Sequence, residues 1–157
     1  MKLATLVYIE KNGKMLLMFR DKKQKDMHEK KYNGIGGKFE AGESPEQCMI
    51  RETQEETGIT PTSFRLAGVS TYPKFYEDED WYLFIYHVTD FEGEEGICNE
   101  GSLEWVSISS LQDLNMWEDN KIFLKWLLEG KFFSSRFTYE NKKLNPCYDV
   151  NFYDSNE

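Results

Sequence analysis

The chain has 157 residues, a formal net charge of −9, 39% hydrophobic residues and 15% aromatic residues. That size and apolar share fit one globular domain over residues 1–157 with a sizeable core, and exclude a disordered chain. The acidic balance argues against a nucleic-acid polymer or an anionic membrane surface as partner, but admits an anionic small molecule whose contact a cation mediates.

Residues 3–9 read as a strand rich in β-formers, Asn12-Gly13 as a hairpin turn, and residues 15–19 as the returning strand. The charged run over 21–31 reads as an exposed connection. Gly34-Ile35-Gly36-Gly37 is a glycine-rich turn. Ser44-Pro45-Glu46-Gln47 opens a helix, with Ser as N-cap, Pro in the first turn and Gln at the capping-box position. That helix is expected to run to Thr57 and stop at Gly58. Strands follow over 64–72 and 81–88, the second apolar enough to be covered on both faces. Another strand spans 103–108 and a short helix 109–114. Apolar Ile122, Phe123, Trp126 and Leu127 at helical spacing predict a helix over 119–128, closed by Gly130. Residues 132–139 and 148–153 form an expected last hairpin, turning near Asn141. This order fits an α/β (α+β) sandwich, a mixed sheet flanked by helices.

Cys48, Cys98 and Cys147 are odd in number and lack CxxC spacing, which argues against a disulfide framework or a zinc site. Residues 1–14 lack the features of a signal peptide, and no run approaches the ~20 apolar residues of a membrane span. The expected compartment is the cytoplasm, with no membrane partner.

The stretch RETQEETG places Glu52, Glu55 and Glu56 within an arc of about 100° on one helix. Like charges at these spacings disfavour the helix, and the C-terminal end of its dipole disfavours anions. One reading is a solvated acidic face relieved by Arg51 pairing with Glu55. The other is a hard-cation site: magnesium prefers carboxylate oxygens and shares its shell with substrate phosphates. The glycine turn leading into the helix favours the second, because glycines let backbone groups approach an ion or phosphate closely.

The whole stretch over 37–59, GKFEAGESPEQCMIRETQEETGI, resembles the Nudix box. The fixed positions are Gly37, Glu43, Arg51, Glu52, Glu55, Glu56, Gly58 and Ile59, and all match; Thr53 stands where an aliphatic residue is usual. The resemblance implies a three-layer α/β/α sandwich with a mixed sheet and hydrolysis of a nucleotide diphosphate linkage. It implies Glu52 and Glu56 as principal ligands of Mg2+, with Mn2+ an alternative, Glu55 as ligand or base, and the Gly37 carbonyl as a further ligand. Arg51 and Glu43 would orient the carboxylates, and Glu100, shortly before Trp105, would add a late acidic ligand.

Two further segments, 32–37 and 116–120, resemble MutT-like enzymes of the animal type that hydrolyse oxidised purine nucleoside triphosphates such as 8-oxo-dGTP. The resemblance implies that Asn33 contacts the base, Trp117 stacks on it, and Asp119 and Asn120 meet its edge; Arg20 and Thr5 fall at pocket positions. A flat purine suits an indole face, and its edge suits amide or carboxyl groups. Glu118 stands where the animal pattern has proline and Asn120 where it has a second acid, which bears on base preference. Tyr76 and Pro73 keep open a dinucleoside polyphosphate or ADP-ribose hydrolase, and a nucleotide-binding sensor without catalysis is the reading from another class. The expected partner is a small nucleotide, with the protein a monomer or homodimer.

Overall fold

The computed structural model describes residues 1–21, 30–98 and 101–153. Most of the charged run, and Glu100, therefore lie outside the described residues.

Strands β1 (Lys2–Lys11) and β2 (Lys14–Phe19) meet at Asn12 and Gly13, whose φ values of 52° and 75° suit the turn that matches strand twist. Then come β3 (Tyr32–Asn33), α1 (Pro45–Thr57), and the long hairpin of β4 (Thr60–Tyr76) and β5 (Glu79–Glu92). β6 (Ser102–Ser107) leads into a 3-10 turn over Ile108–Asp113 and then α2 (Glu118–Leu128). β7 (Phe132–Arg136), β8 (Tyr139–Glu140), β9 (Lys143–Leu144) and β10 (Asp149–Tyr153) close the chain.

Among the described residues these strands build an eight-stranded mixed sheet in the order β10-β7-β4-β5-β1-β2-β3, with β6 on the other edge of β2. The pairs β1–β5 and β4–β7 are parallel and the rest antiparallel. β8 and β9 make a separate small ribbon.

Period-2 alternation decides what each face packs against. On β1, Val7 and Ile9 join Met49 of α1 in one cluster, whereas Tyr8 joins Phe123, Leu124 and Leu127 of α2 in the other. Helices therefore cover both faces, and the molecule is the expected α/β/α sandwich.

α1 begins as its capping box requires. Ser44 Oγ accepts from the Gln47 N–H at 3.1 Å, and Gln47 Oε1 accepts from the Ser44 N–H at 2.9 Å. It ends at Gly58, left-handed at φ 81°, whose N–H donates to the Gln54 carbonyl. Thr53 is fully buried, and its hydroxyl donates to the Met49 carbonyl at 2.7 Å. A threonine thus fills an aliphatic position without an orphaned polar atom.

Two expectations need correction. The central strands are far longer than 64–72 and 81–88, because bulges near Pro61, Ala67 and Pro73 interrupt the alternation without ending the pairing. The last hairpin is broken: β7 and β10 pair, but the Phe137 N–H turns to the Thr71 carbonyl at 2.9 Å, and Asn141 and Lys142 turn a second, tighter ribbon.

Phe133 and Phe137 pack in one cluster with Tyr8 and Phe123, so the C-terminal strands share the core of the N-terminal ones. Phe133→Ala removes a fully buried ring and should cost about 3–5 kcal/mol. Urea unfolding should show this as a lower midpoint in a single transition. A separate early transition, with the main one unmoved, would mean that the C-terminal strands form their own unit.

Candidate active site

β2 leaves β1 after Ile9–Leu16, and the chain after β3 takes its place along that edge. The Val7 and Ile35 backbones exchange hydrogen bonds there, and the Thr5 N–H donates to the Gly37 carbonyl at 2.9 Å. Gly36 lies so close to Thr5 that a Cβ would overlap the Thr5 carbonyl. A Cβ on Gly37 would overlap the carboxylate of Glu52. The glycine turn is thus clamped between β1 and the acidic face of α1, which only residues without side chains permit.

The turn also orients that face. The Gly36 N–H donates to Glu56 Oε2 at 3.1 Å. Arg51 donates to Glu43 from both Nε (2.6 Å) and Nη2 (2.9 Å), to Glu52 from Nη1 at 2.8 Å, and to Glu55 from the same nitrogen at 3.2 Å. A further bond from Nη2 reaches the Lys38 carbonyl at 3.1 Å. The acidic face therefore has a basic partner, and one guanidinium serves two carboxylates of α1, Glu52 and Glu55, together with Glu43 ahead of the helix. The Arg51–Glu55 pair expected of a purely solvated face is present as one arm of this network. Hydrogen bonds from Arg51, joined by the Glu40 N–H, hold the Glu43 carboxyl down at about 2.

Arg51 offsets one of the three charges on Glu43, Glu52 and Glu55, leaving an anionic excess to which Glu56 adds. Among the described residues no three acidic, His or Cys side chains converge as a closed metal cage. The donor set is an open one: the Glu52 and Glu56 carboxylates beside the Gly37 carbonyl, whose first lone pair is taken by Thr5. All are hard oxygens, and one or two carboxylates completed by water and phosphate is the arrangement magnesium favours. The residues present therefore fit a divalent cation of that kind.

Beyond the turn lies a cavity of about 480 Å³. Thr5, Arg20, Asn33, Trp117, Asp119 and Asn120 all line it, together with Gly36 and Gly37. The glycine turn thus forms a wall shared by the cavity and the glutamate helix. Trp117 is only 6% exposed; its ring meets Phe75 and Tyr139 edge-on at 5.5 and 5.2 Å, and the Lys31 ammonium lies 5.0 Å from its centroid. It is at once core and cavity wall. Asp119 is 3% exposed and accepts hydrogen bonds from the hydroxyls of Tyr72 and Tyr139. Burial pushes its carboxyl above the usual range, and those hydroxyls oppose the push.

Sequence reasoning missed Tyr72, Phe75, Trp81 and Leu83, which line the cavity from the long hairpin, and Lys38, whose ammonium lies 5.5 Å from the Trp81 ring. Inward alternation along β4 and β5 marks Tyr72, Trp81 and Leu83 as candidates for one face, but does not say which cavity that face closes.

The fold and site define an α/β/α protein that presents carboxylates beside a cavity. The model of the NUDIX domain matches residues 2–127. The chain is 30% identical over 139 residues to an oxidized purine nucleoside triphosphate hydrolase of Danio rerio, covering 88% of this chain and 87% of that protein. It is 41% identical over 76 residues to the 8-oxo-dGTP diphosphatase of Escherichia coli strain K12, covering 48% and 57%. The crystal structure of a MutT protein from Bacillus halodurans superimposes with a TM-score of 0.83 at 29% identity, covering 96% of this chain and 98% of that one. The chain belongs to the Nudix family and is a Nudix hydrolase. Members generally use divalent metal ions and act on small nucleotides.

Because the Glu43 carboxyl is depressed from 4.5 to about 2, its pairing with Arg51 stabilises the fold fully above pH 4.5. That contribution fades as pH falls through about 2. Carboxyl NMR should find Glu43 still ionised at pH 3, and the stability gap between the wild type and Glu43→Gln should narrow on acidification. A midpoint near 4.5 would show that Arg51 does not hold Glu43 in solution.

Proposed function

We propose that this hydrolase cleaves an oxidised purine nucleoside triphosphate of the 8-oxo-dGTP type, with Mg2+ (or Mn2+), to the nucleoside monophosphate and pyrophosphate. The observation that carries the reading is the shared wall. Gly36 and Gly37 line the cavity on one side and touch Glu56 and Glu52 on the other. A base seated against Trp117 would extend its phosphates along this backbone toward the carboxylates.

In this reading each residue has a limited task. Trp117 offers its face to the base, while Asn33, Asn120 and Asp119 offer hydrogen-bonding groups to its edge. Arg20 and Thr5 complete the pocket. Arg20, Lys31 and Lys38 bring positive charge to a chain that is otherwise acidic, which lowers the barrier to an anionic ligand. Glu52, Glu56 and the Gly37 carbonyl would hold the cation, with Glu55 as further ligand or base, and Arg51 and Glu43 keep Glu52 in place. When bound, the cation neutralises phosphate charge and lowers the pKa of an attacking water. Glu100, outside the described residues, stays a proposed additional ligand. Residues 1–157 act as one domain in this account. The substrate is a free nucleotide rather than a nucleic-acid polymer, and the cysteine pattern supports a cytoplasmic setting.

The test is a magnesium-supplemented panel of 8-oxo-dGTP, unmodified nucleoside triphosphates, ADP-ribose and diadenosine polyphosphates, with products identified. The triphosphate of the oxidised purine should give the highest kcat/KM, with pyrophosphate released. Much faster cleavage of ADP-ribose would replace this reading. Glu56→Gln should lower turnover by about a hundredfold or more with an unchanged circular dichroism spectrum. Near-normal turnover would remove Glu56 from the cation site.

A further inference from the structure

Cys48 occupies a position between Glu43 and Arg51 that the box leaves open, and it is fully buried. Its sulfur lies where three parts of the site meet. The Thr5 hydroxyl is 3.5 Å away, the Gly37 carbonyl oxygen 3.6 Å and Arg51 Nη2 3.9 Å, distances that the large radius of sulfur allows. Thr5 lines the cavity, and Gly37 stands against the carboxylate of Glu52. The Thr5 N–H donates to that same Gly37 carbonyl at 2.9 Å. Thr5, Cys48 and Gly37 thus close a triangle between the cavity and the acidic helix.

Two hydrogens serve this triangle, one on the thiol and one on the hydroxyl. Arg51 only donates, so the S–H has the Gly37 oxygen and Thr5 Oγ1 as acceptors at hydrogen-bond distance. In one arrangement the S–H points to Gly37, whose carbonyl then accepts twice, and the Thr5 hydroxyl donates to the sulfur. In the other the S–H turns to Thr5 Oγ1, the hydroxyl hydrogen swings toward the cavity, and the second lone pair of the carbonyl is released. The two differ only by rotation about two side-chain bonds. A cation on the Gly37 oxygen takes that lone pair and repels the positive end of the S–H dipole, so it favours the second arrangement.

We infer that Cys48 is a positioning residue: a cation at Gly37 turns its thiol hydrogen to Thr5, and this one buried hydrogen joins the cation site to the cavity. The inference rests on the cation being held by Glu52, Glu56 and the Gly37 carbonyl, and adds how the cavity wall responds to it. By linkage the response is reciprocal, so a ligand that uses the Thr5 hydrogen also favours the cation.

Mn2+ binding to the nucleotide-free chain, followed by the electron paramagnetic resonance of the free ion, tests this apart from any substrate. Thr5→Val strands the displaced S–H without an acceptor and should weaken Mn2+ binding by about three- to fivefold. In a Cys48→Ala background, with no S–H to strand, the same change should alter it by less than about twofold. Packing losses alone would make the two effects additive, and additive effects would overturn the relay. An unchanged affinity in Thr5→Val would overturn it too, since the thiol would then turn to Glu43, the other acceptor near it. The S–H infrared band of Cys48, isolated as the difference between wild type and Cys48→Ala, should move when Mg2+ is added. A band that stays in place would overturn the relay even if Thr5→Val does not fold. 8-Oxo-deoxyguanosine, which has no phosphate to meet the cation, should change its affinity by about threefold on Mn2+ addition in the wild type and stay constant in Cys48→Ala. A wild-type affinity indifferent to Mn2+ would break the link to the cavity. If the nucleoside does not bind, the base pocket of the proposed function fails, while the Mn2+ cycle still decides the relay. Wild-type Mn2+ affinity in Glu56→Gln would move the cation elsewhere and overturn both.

Discussion

The approach of the Gly36–Gly37 backbone to both β1 and α1 is the constraint on which the rest of this molecule depends. It requires β1 and β2 to diverge, because the turn needs the edge of β1 that β2 vacates. It requires α1 to lie low across that edge, because the Glu52 carboxylate occupies the space where a side chain on Gly37 would be. The sheet, the helix and the cavity then share one wall about one backbone thick. In the proposed binding mode a nucleotide spanning that wall would be aligned by the main chain, which costs less conformational entropy than alignment by long side chains.

Charge is handled in two different ways on the two sides of that wall. On the helix side, Arg51 distributes its five donors over Glu43, Glu52, Glu55 and the Lys38 carbonyl. The planar guanidinium can do this because its five donors point in fixed, spread directions; an ammonium has three donors on one compact centre and could not reach all four groups at once. On the cavity side, the buried Asp119 carboxylate accepts from the neutral hydroxyls of Tyr72 and Tyr139. The first arrangement leaves the oxygens of Glu52 and Glu56 oriented yet attractive to a cation. The second leaves a buried acid, oriented by two hydroxyls, on the wall of the cavity.

How much could be read from the sequence depends on how far apart the cooperating residues lie. The helix over Pro45–Thr57, its Ser44 cap and its Gly58 stop follow from residues within four positions of each other, and they were legible to the residue. So was the Asn12–Gly13 turn, which is fixed by two neighbours. The lengths of β4 and β5 were not, since bulges hide a continuous ladder behind a broken alternation. The Nudix box announced Glu52, Glu55 and Glu56, but not that Arg51 would touch Glu52 as well as Glu55; adjacent side chains on a helix do not ordinarily face each other. Tyr72 and Tyr139 were invisible as a pair. They lie 67 positions apart and meet only because β7 returns in parallel beside β4 and Phe137 bends the chain back toward Thr71.

That parallel return also sets an order of events during synthesis. β4 can pair with β5 as soon as both have left the ribosome, since a short turn joins them. Its other edge waits until β7 has been made, and the hydrogen bond from Phe137 to Thr71 spans 66 residues. Such distant pairings are slow to form. The acidic helix and its glycine turn can therefore assemble while the far wall of the cavity is still unmade. A nascent chain in that interval exposes the edge of its longest strand, and protection of that edge by chaperones is the demand this topology places on the cell.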